Sequence, residues 1–202
     1  MVTPDFDATQ ITAAILAGGE GRRVDGRDKG LIELAGRPLV AHVAAALAGQ
    51  AATIVVCANR HARDYAPFGD VLTDAQPGFR GPLAGIATAL ARCATPWLLT
   101  VPVDAPQPPR ELAQSLFAAA IAANADAAVA YEGVRPQPMF ALYRSRLAES
   151  AATALAQDLP VWRWQEKIRA AEAFFDLGDP AFTNLNTNDD LAAWEQAHAD
   201  RN

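Results

Sequence analysis

Asp104 stands just beyond an apolar run, Trp97-Leu98-Leu99-Thr100-Val101, reached through Pro102-Val103. A single carboxylate in such a place is enough for Mg²⁺, which takes one or two carboxylates and completes its shell with phosphate oxygens and water. Without a metal, the same Asp caps the loop that follows. A second run, Ile11 to Leu16, ends in Ala17-Gly18-Gly19-Glu20-Gly21-Arg22-Arg23 and continues to Asp28-Lys29-Gly30. Glycines admit close backbone approach, and successive N–H groups form an anion-binding nest. The dinucleotide template G-x-G-x-x-G fails because Gly19-Glu20-Gly21-Arg22-Arg23 runs into Val24, and the P-loop template fails because Lys29 lies between Asp28 and Gly30. What remains is a glycine turn followed by Arg22, Arg23, Arg27 and Lys29, an arrangement suited to a triphosphate on a mobile loop. The plainer alternative is a tight turn and a solvated, charge-mixed loop. Asp74, after Val71-Leu72, is placed to contact a base, a ribose or a metal-bound water, or to serve as a turn residue.

Other chemistries find no support. His42, His61 and His198 have no metal-ligand spacing, and Cys57 and Cys93 form no CxxC pair. Cys57 ends a core run and reads as inert packing. Trp162 and Trp164 alternate, and are read as core, lid or ring-stacking residues, with core favoured. Arg144, Arg146 and Arg163 are read as anion contacts or as residues of solvated faces, with solvated faces favoured because they are scattered.

The elements that must position these groups alternate between strand and helix. Ile11 to Leu16, Thr53 to Cys57, Val71-Leu72, Trp97 to Val101 and Asp126 to Tyr131 read as strands. Gly36-Arg37-Pro38 is expected to open a helix with Pro38 in its first turn, ending near Gly49, and helices are expected over Pro82 to Ala91 and Arg110 to Ala123. The last third predicts a strand at Pro138 to Tyr143, helices over Arg144 to Gln157 and Val161 to Ala171, and a strand at Ala173 to Leu177. Thr187-Asn188-Asp189-Asp190 then reads as a capping box opening a terminal helix. The alternation predicts an α/β fold, with ligands at the carboxyl ends of the strands.

Hydrophobic residues make up 51% of the 202-residue chain and charged residues 20%, so one domain over residues 1–202 is expected, its first ten residues a flexible N-terminus. A net charge of −6 argues against a nucleic-acid partner, since phosphate neutralisation needs clustered Lys and Arg. The apolar stretch at 11–17 is too short to span a bilayer, so no membrane association is expected and the cytoplasm is the expected compartment.

Leu16-Ala17-Gly18-Gly19, Arg23, Asp28-Lys29-Gly30-Leu31, Leu34-x-Gly36-x-Pro38-Leu39 and His42-Val43 together resemble a nucleotidyltransferase signature. The double glycine and the Asp-Lys-Gly-Leu run resemble one branch, the molybdenum cofactor guanylyltransferases. The resemblance continues through Val55-Val56-Cys57-Ala58-Asn59-Arg60, Asp74 ahead of Gly81-Pro82-Leu83-Ala84-Gly85, Val101-Pro102-Val103-Asp104, and Phe182-x-Asn184-x-Asn186-Thr187. It covers most of residues 11–195. It implies a three-layer, Rossmann-like nucleotidyltransferase fold with a mostly parallel central sheet. The implied reaction is GMP transfer from GTP to molybdenum-molybdopterin, with release of pyrophosphate. By motif match, Leu16, Ala17, Gly18, Gly19 and Asp74 would contact the nucleotide, Arg23 and Lys29 would hold the triphosphate, and Asp104 would bind Mg²⁺ (Mn²⁺ is the other candidate). Gly81, Pro82 and Leu83 would shape the site, and Asn184 and Asn186 would lie near the molybdopterin. Molybdenum-insertion and molybdoenzyme-maturation proteins are the implied protein partners.

Three positions depart from the family pattern. Val24 stands where methionine is common, and Asn186-Thr187-Asn188 replaces Asn-Thr-Pro. Cys57 stands where an asparagine commonly touches the nucleotide, so either the backbone makes that contact or some base selectivity is lost. The competing readings are a cytidylyl- or sugar-phosphate nucleotidyltransferase of the same fold, or a non-catalytic nucleotide-binding module.

Overall fold

The computed structural model describes residues 5–18, 28–74, 81–176 and 182–199. Its centre is a seven-stranded sheet made of β1 (Ile11–Leu16), β4 (Thr53–Cys57), β5 (Asp70–Leu72), β6 (Trp97–Pro102), β7 (Ala127–Glu132), β8 (Arg135–Arg144) and β9 (Ala171–Phe175), in the order β5-β4-β1-β6-β8-β7-β9. Only β8 opposes its neighbours, pairing antiparallel with β6 and β7, while the other pairings are parallel. The sheet is therefore mostly parallel, as the alternation of elements predicts. A separate hairpin joins β2 (Glu33–Leu34) to β3 (Arg37–Pro38), which the sequence pattern does not signal.

The strands alternate their side chains between two apolar layers. Ile11, Ala13 and Ile15 of β1 face α1 (Leu39–Leu47) and α4 (Leu112–Ala122). Ala14 and Leu16 face α3 (Pro82–Arg92), α5 (Ala148–Ala156) and α6 (Val161–Lys167). β1 is buried along almost its whole length, which is why it reads as a continuous apolar run. In α4, Leu112, Ala113, Leu116, Phe117 and Ala120 are buried at helical spacing. Each large side chain so enclosed contributes about 1.5–3 kcal/mol of transfer free energy. Ahead of β1, Phe6 packs edge-on against Phe117, and Asp7 caps the turn Ala8–Gln10, so the expected flexible leader is anchored over these residues.

Several boundaries differ from expectation for local reasons. Pro38 caps α1 and is not its first residue, because it still pairs with Glu33. The expected helix at 144–157 is a 3-10 turn, Ser145–Leu147, followed by α5. The expected helix ending at Ala171 stops at Lys167: Arg169 takes a φ of +53°, and Ala171 opens β9. β8 also carries a bulge. Its pairing with β7 jumps from Val129↔Ala141 to Ala130↔Gln137, which leaves Pro138, Met139 and Phe140 out of the ladder. The Thr100 hydroxyl donates to the Met139 carbonyl at 2.9 Å, and the Gln165 amide donates to that of Pro138 at 2.8 Å, fixing the bulge from both sides.

α2 (Ala62–Tyr65) follows β4, and α7 (Asn188–Ala199) ends the described chain. The capping box is present: Asp190 accepts from the N–H groups of Asn186 and Thr187, and its own N–H donates to the Thr187 hydroxyl. Those bonds hold the Asp190 carboxyl below its ordinary value. Leu191 and Trp194 of α7 pack against a small apolar cluster of Leu34 from β2, Leu39 from α1 and Leu185.

Candidate active site

The carboxyl ends of β1, β4, β5 and β6 open into a cleft of about 420 Å³. β1 delivers Leu16, Ala17 and Gly18 to its wall, β4 delivers Cys57, and the segment after β5 delivers Asp74. Gly81, Pro82 and Gly85 line it at the start of α3, and Lys29, Asp104 and Asn184 line it as well. Gly81 has a φ of +75°, which glycine adopts without strain, and Pro82 is preset for the first helical turn behind it.

Three residues far apart in sequence meet at Lys29. Its ammonium donates to Asp104 Oδ2 and to Asn186 Oδ1, each at 2.7 Å. The main chain ties the same parts together, because the N–H of Leu185 donates to the Asp104 carbonyl at 2.8 Å. Asp104 Oδ1 is buried and accepts no hydrogen bond from the described residues. A carboxylate oxygen buried without a donor is costly unless a cation joins it, so the residues present fit a bound divalent ion. Among the described residues no group of three or more His, Cys, Asp and Glu side chains gathers for a metal.

The Lys29 turn is fixed from below. The Tyr65 hydroxyl donates to Asp28 Oδ1, and Gly30 lies against the Tyr65 ring. A Cβ at Gly30 would fall 2.9 Å from Val103 Cγ2, so only glycine brings the turn this close. Burial, with the Asp28 carboxylate second, pushes the Tyr65 phenol far above its ordinary value and keeps it a hydrogen-bond donor.

Asp74 is held by a residue that motif matching does not single out. The Asn59 amide donates to Asp74 Oδ2 at 2.8 Å and accepts from the Asp74 N–H at 2.9 Å. Cys57 offers the cleft no acidic or nucleophilic group. Its Sγ faces the Gly85 carbonyl at 3.5 Å, and burial, then the nearby Asp74 charge, pushes the thiol up to about 12.

Of the expected residues, Leu16, Ala17, Gly18, Lys29, Cys57, Asp74, Gly81, Pro82, Asp104 and Asn184 line this cleft, and Asn186 joins it through Lys29. Leu83 does not. It is 2% exposed in the apolar layer behind α3, because the helix turns that side chain toward the sheet. Gly19 and Arg23 lie outside the described residues. Met139 is a wall that the sequence does not signal: the bulge that carries it into the cleft leaves no mark in a strand-like run. Trp164 is core, stacked on Tyr143, whereas Trp162 is 46% exposed. Arg146 pairs with Asp126, Arg163 with Glu166, and Arg144 covers the Trp97 ring.

Residues 13–172 match the MobA-like NTP transferase domain, so the mostly parallel sheet that carries Lys29, Asp74 and Asp104 at one end of its strands is that of a nucleotidyltransferase. The fold is similar to that of molybdopterin-guanine dinucleotide biosynthesis protein A from Archaeoglobus fulgidus, with a TM-score of 0.74 at 23% identity, covering 94% of this chain and 99% of that one. It is also similar to 2-C-methyl-D-erythritol 4-phosphate cytidylyltransferase from Thermus thermophilus, with a TM-score of 0.67 at 19% identity, covering 92% of this chain and 98% of that one. Within that class, the molybdenum cofactor guanylyltransferase of Shewanella sp. (strain MR-4) is 43% identical over 180 residues, spanning 88% of this chain and 91% of the relative. That of Shewanella amazonensis is 38% identical over 190 residues, spanning 93% and 97%. The chain belongs to the molybdenum cofactor guanylyltransferase family.

Proposed function

We propose that this chain transfers GMP from GTP to the terminal phosphate of molybdenum-molybdopterin, releasing pyrophosphate and forming the guanine dinucleotide cofactor. The observation that carries the reading is Lys29, held between Asp104 and Asn186 at 2.7 Å each beside a carboxylate oxygen with no donor. An oxygen of the acceptor phosphate forms a bond to the α-phosphorus of GTP. The bond from that phosphorus to the bridging oxygen breaks, and pyrophosphate leaves with the electron pair. The attacking group is already an anion at neutral pH, so no side chain has to remove a proton. The barrier is electrostatic, since two anions must meet in line.

Lys29 has three N–H donors. Two are spent on Asp104 and Asn186, which leaves the third for a phosphate oxygen in the cleft that Lys29 lines. Asp104 would hold Mg²⁺ (or Mn²⁺) through Oδ1, and the ion would supply positive charge against the phosphate oxygens. Asn59 sets the Asp74 carboxylate, an acceptor complementary to the amino and N–H donors of guanine. Cys57 contributes a neutral apolar wall and leaves hydrogen bonding to the backbone and Asp74.

The test is pyrophosphate release with Mg²⁺ and molybdopterin, comparing GTP with CTP, ATP and UTP. Release with GTP alone is expected. Release with CTP alone would move the chain to cytidylyl transfer, and no release with any nucleotide would leave a binding module.

A further inference from the structure

A second hollow of about 330 Å³ opens on the side of the sheet that packs against α6, and the reaction described above gives it no role. Tyr131 of β7, Glu172 of β9, and Trp162, Glu166 and Arg169 in and just after α6 line it. Trp162 is one of few large apolar side chains left exposed among the described residues. The Arg163 guanidinium lies 4.7 Å from its ring centroid, and Arg163 also pairs with Glu166. Tyr131 packs against Phe174, and burial, then the Glu172 carboxylate, push its phenol above the ordinary value.

This hollow borders the cleft. Pro136 lines the hollow and Met139 lines the cleft, and Gln165, a further wall of the hollow, holds the carbonyl of Pro138 between them. Three residues of chain span at most about 10 Å, so Pro136 and Met139 lie within the length of one molecule that carries a ring system at one end and a phosphate at the other. β8 runs antiparallel to β6, so its Pro136 end lies at the same edge of the sheet as the Asp104 end of β6.

The chemistry of the walls selects a ring type. A pterin carries an amino group and a ring N–H side by side, which a single carboxylate accepts together, next to a carbonyl that a guanidinium donates to. Its flat face stacks on indole. Arg169 adds an observation of its own: it holds a φ of +53°, where glycine is cheaper, at a position that lines the hollow.

We infer that the hollow between α6 and β9 is the seat of the acceptor's pterin ring, with Trp162 stacking on it, Glu172 accepting from its amino–amide edge and Arg169 donating to its carbonyl. The inference rests on the proposed transfer to molybdopterin and assigns the ring end of that substrate. The test is steady-state pyrophosphate release by the full chain, with GTP and molybdopterin varied separately, for Trp162→Ala, Glu172→Gln and Arg169→Gly. Each variant is expected to raise KM for molybdopterin about tenfold and leave KM for GTP within twofold. Trp162→Phe is expected to recover most of the loss. Arg169→Gly separates binding from folding, because glycine suits that backbone: its Tm should hold or rise while its molybdopterin KM rises. An active wild type whose three variants keep an unchanged molybdopterin KM overturns the pterin seat and leaves the transfer reaction standing. A wild type that releases no pyrophosphate from molybdopterin and any nucleotide overturns the reaction itself, and the pterin seat with it.

Discussion

Replacing Lys29 with alanine removes one ammonium and changes the state of two neighbours. In the native site that ammonium donates to Asp104 and Asn186 at 2.7 Å each, with the Lys29 and Asp104 side chains each 20% exposed. Deleting one preorganised donor aimed at developing charge costs about 2–4 kcal/mol of transition-state stabilisation. At about 1.4 kcal/mol per decade, that is a fall in kcat of about 30- to 1,000-fold. The change also leaves Asp104 with neither oxygen partnered by a donor among the described residues, which costs about 1–3 kcal/mol of stability. Lys29→Ala with Asp104→Ala should therefore lose less stability than the two single changes summed, because the double variant leaves no stranded charge. Pyrophosphate release gives the rate, and urea unfolding gives the stability. Lys29→Ala turning over within threefold of wild type would refute the placement of this lysine, and strictly additive stabilities would refute the coupling.

Gly30→Ala should cost about 1–3 kcal/mol and lower kcat, since its Cβ would strike Val103 and the Tyr65 hydroxyl under the Lys29 turn; thermal unfolding and turnover measure the two effects. Asn59→Ala should raise KM for GTP about tenfold with a smaller change in kcat, because it frees the Asp74 carboxylate and backbone N–H without touching Lys29 or Asp104; initial-rate kinetics separate the two constants. Cys57 is raised in the folded chain from 9.0 to about 12, so its contribution to stability is complete below pH 9 and is lost as pH climbs toward 12. Cys57→Ser should flatten that alkaline loss in urea titrations, and in a Cys93→Ser background the remaining thiol should resist alkylation until the chain unfolds.

The buried parallel strands were legible because an apolar run of strand length stopped by glycine, as in Ile11 to Leu16, is too short for a helix and matches a strand enclosed on both faces. The direction of β8 was not, since periodicity carries no sign, and neither was its bulge, which depends on Thr100 and Gln165 reaching two carbonyls from other elements. At the site, Lys29, Asp74 and Asp104 follow from charge at strand ends. The role of Asn59 does not, because an asparagine two residues past a strand looks the same whether it closes a turn or clamps a carboxylate 15 residues away. Leu83 shows the reverse error. Its place inside a motif assigns it to the site, although helix geometry turns it toward the core. Trp162 and Trp164 are indistinguishable in the sequence, and only the roll of α6 about its axis separates the exposed indole from the buried one.

The ammonium of Lys29 bonds to partners 75 and 157 residues further along the chain. A polypeptide growing on the ribosome can complete β1, β4 and β6 and close most of the sheet, yet it carries no finished phosphate-handling centre until residue 186 has cleared the exit tunnel. Nucleotide bound before that point meets a lysine lacking one of its two anchors, so competence arrives in a single late step of synthesis.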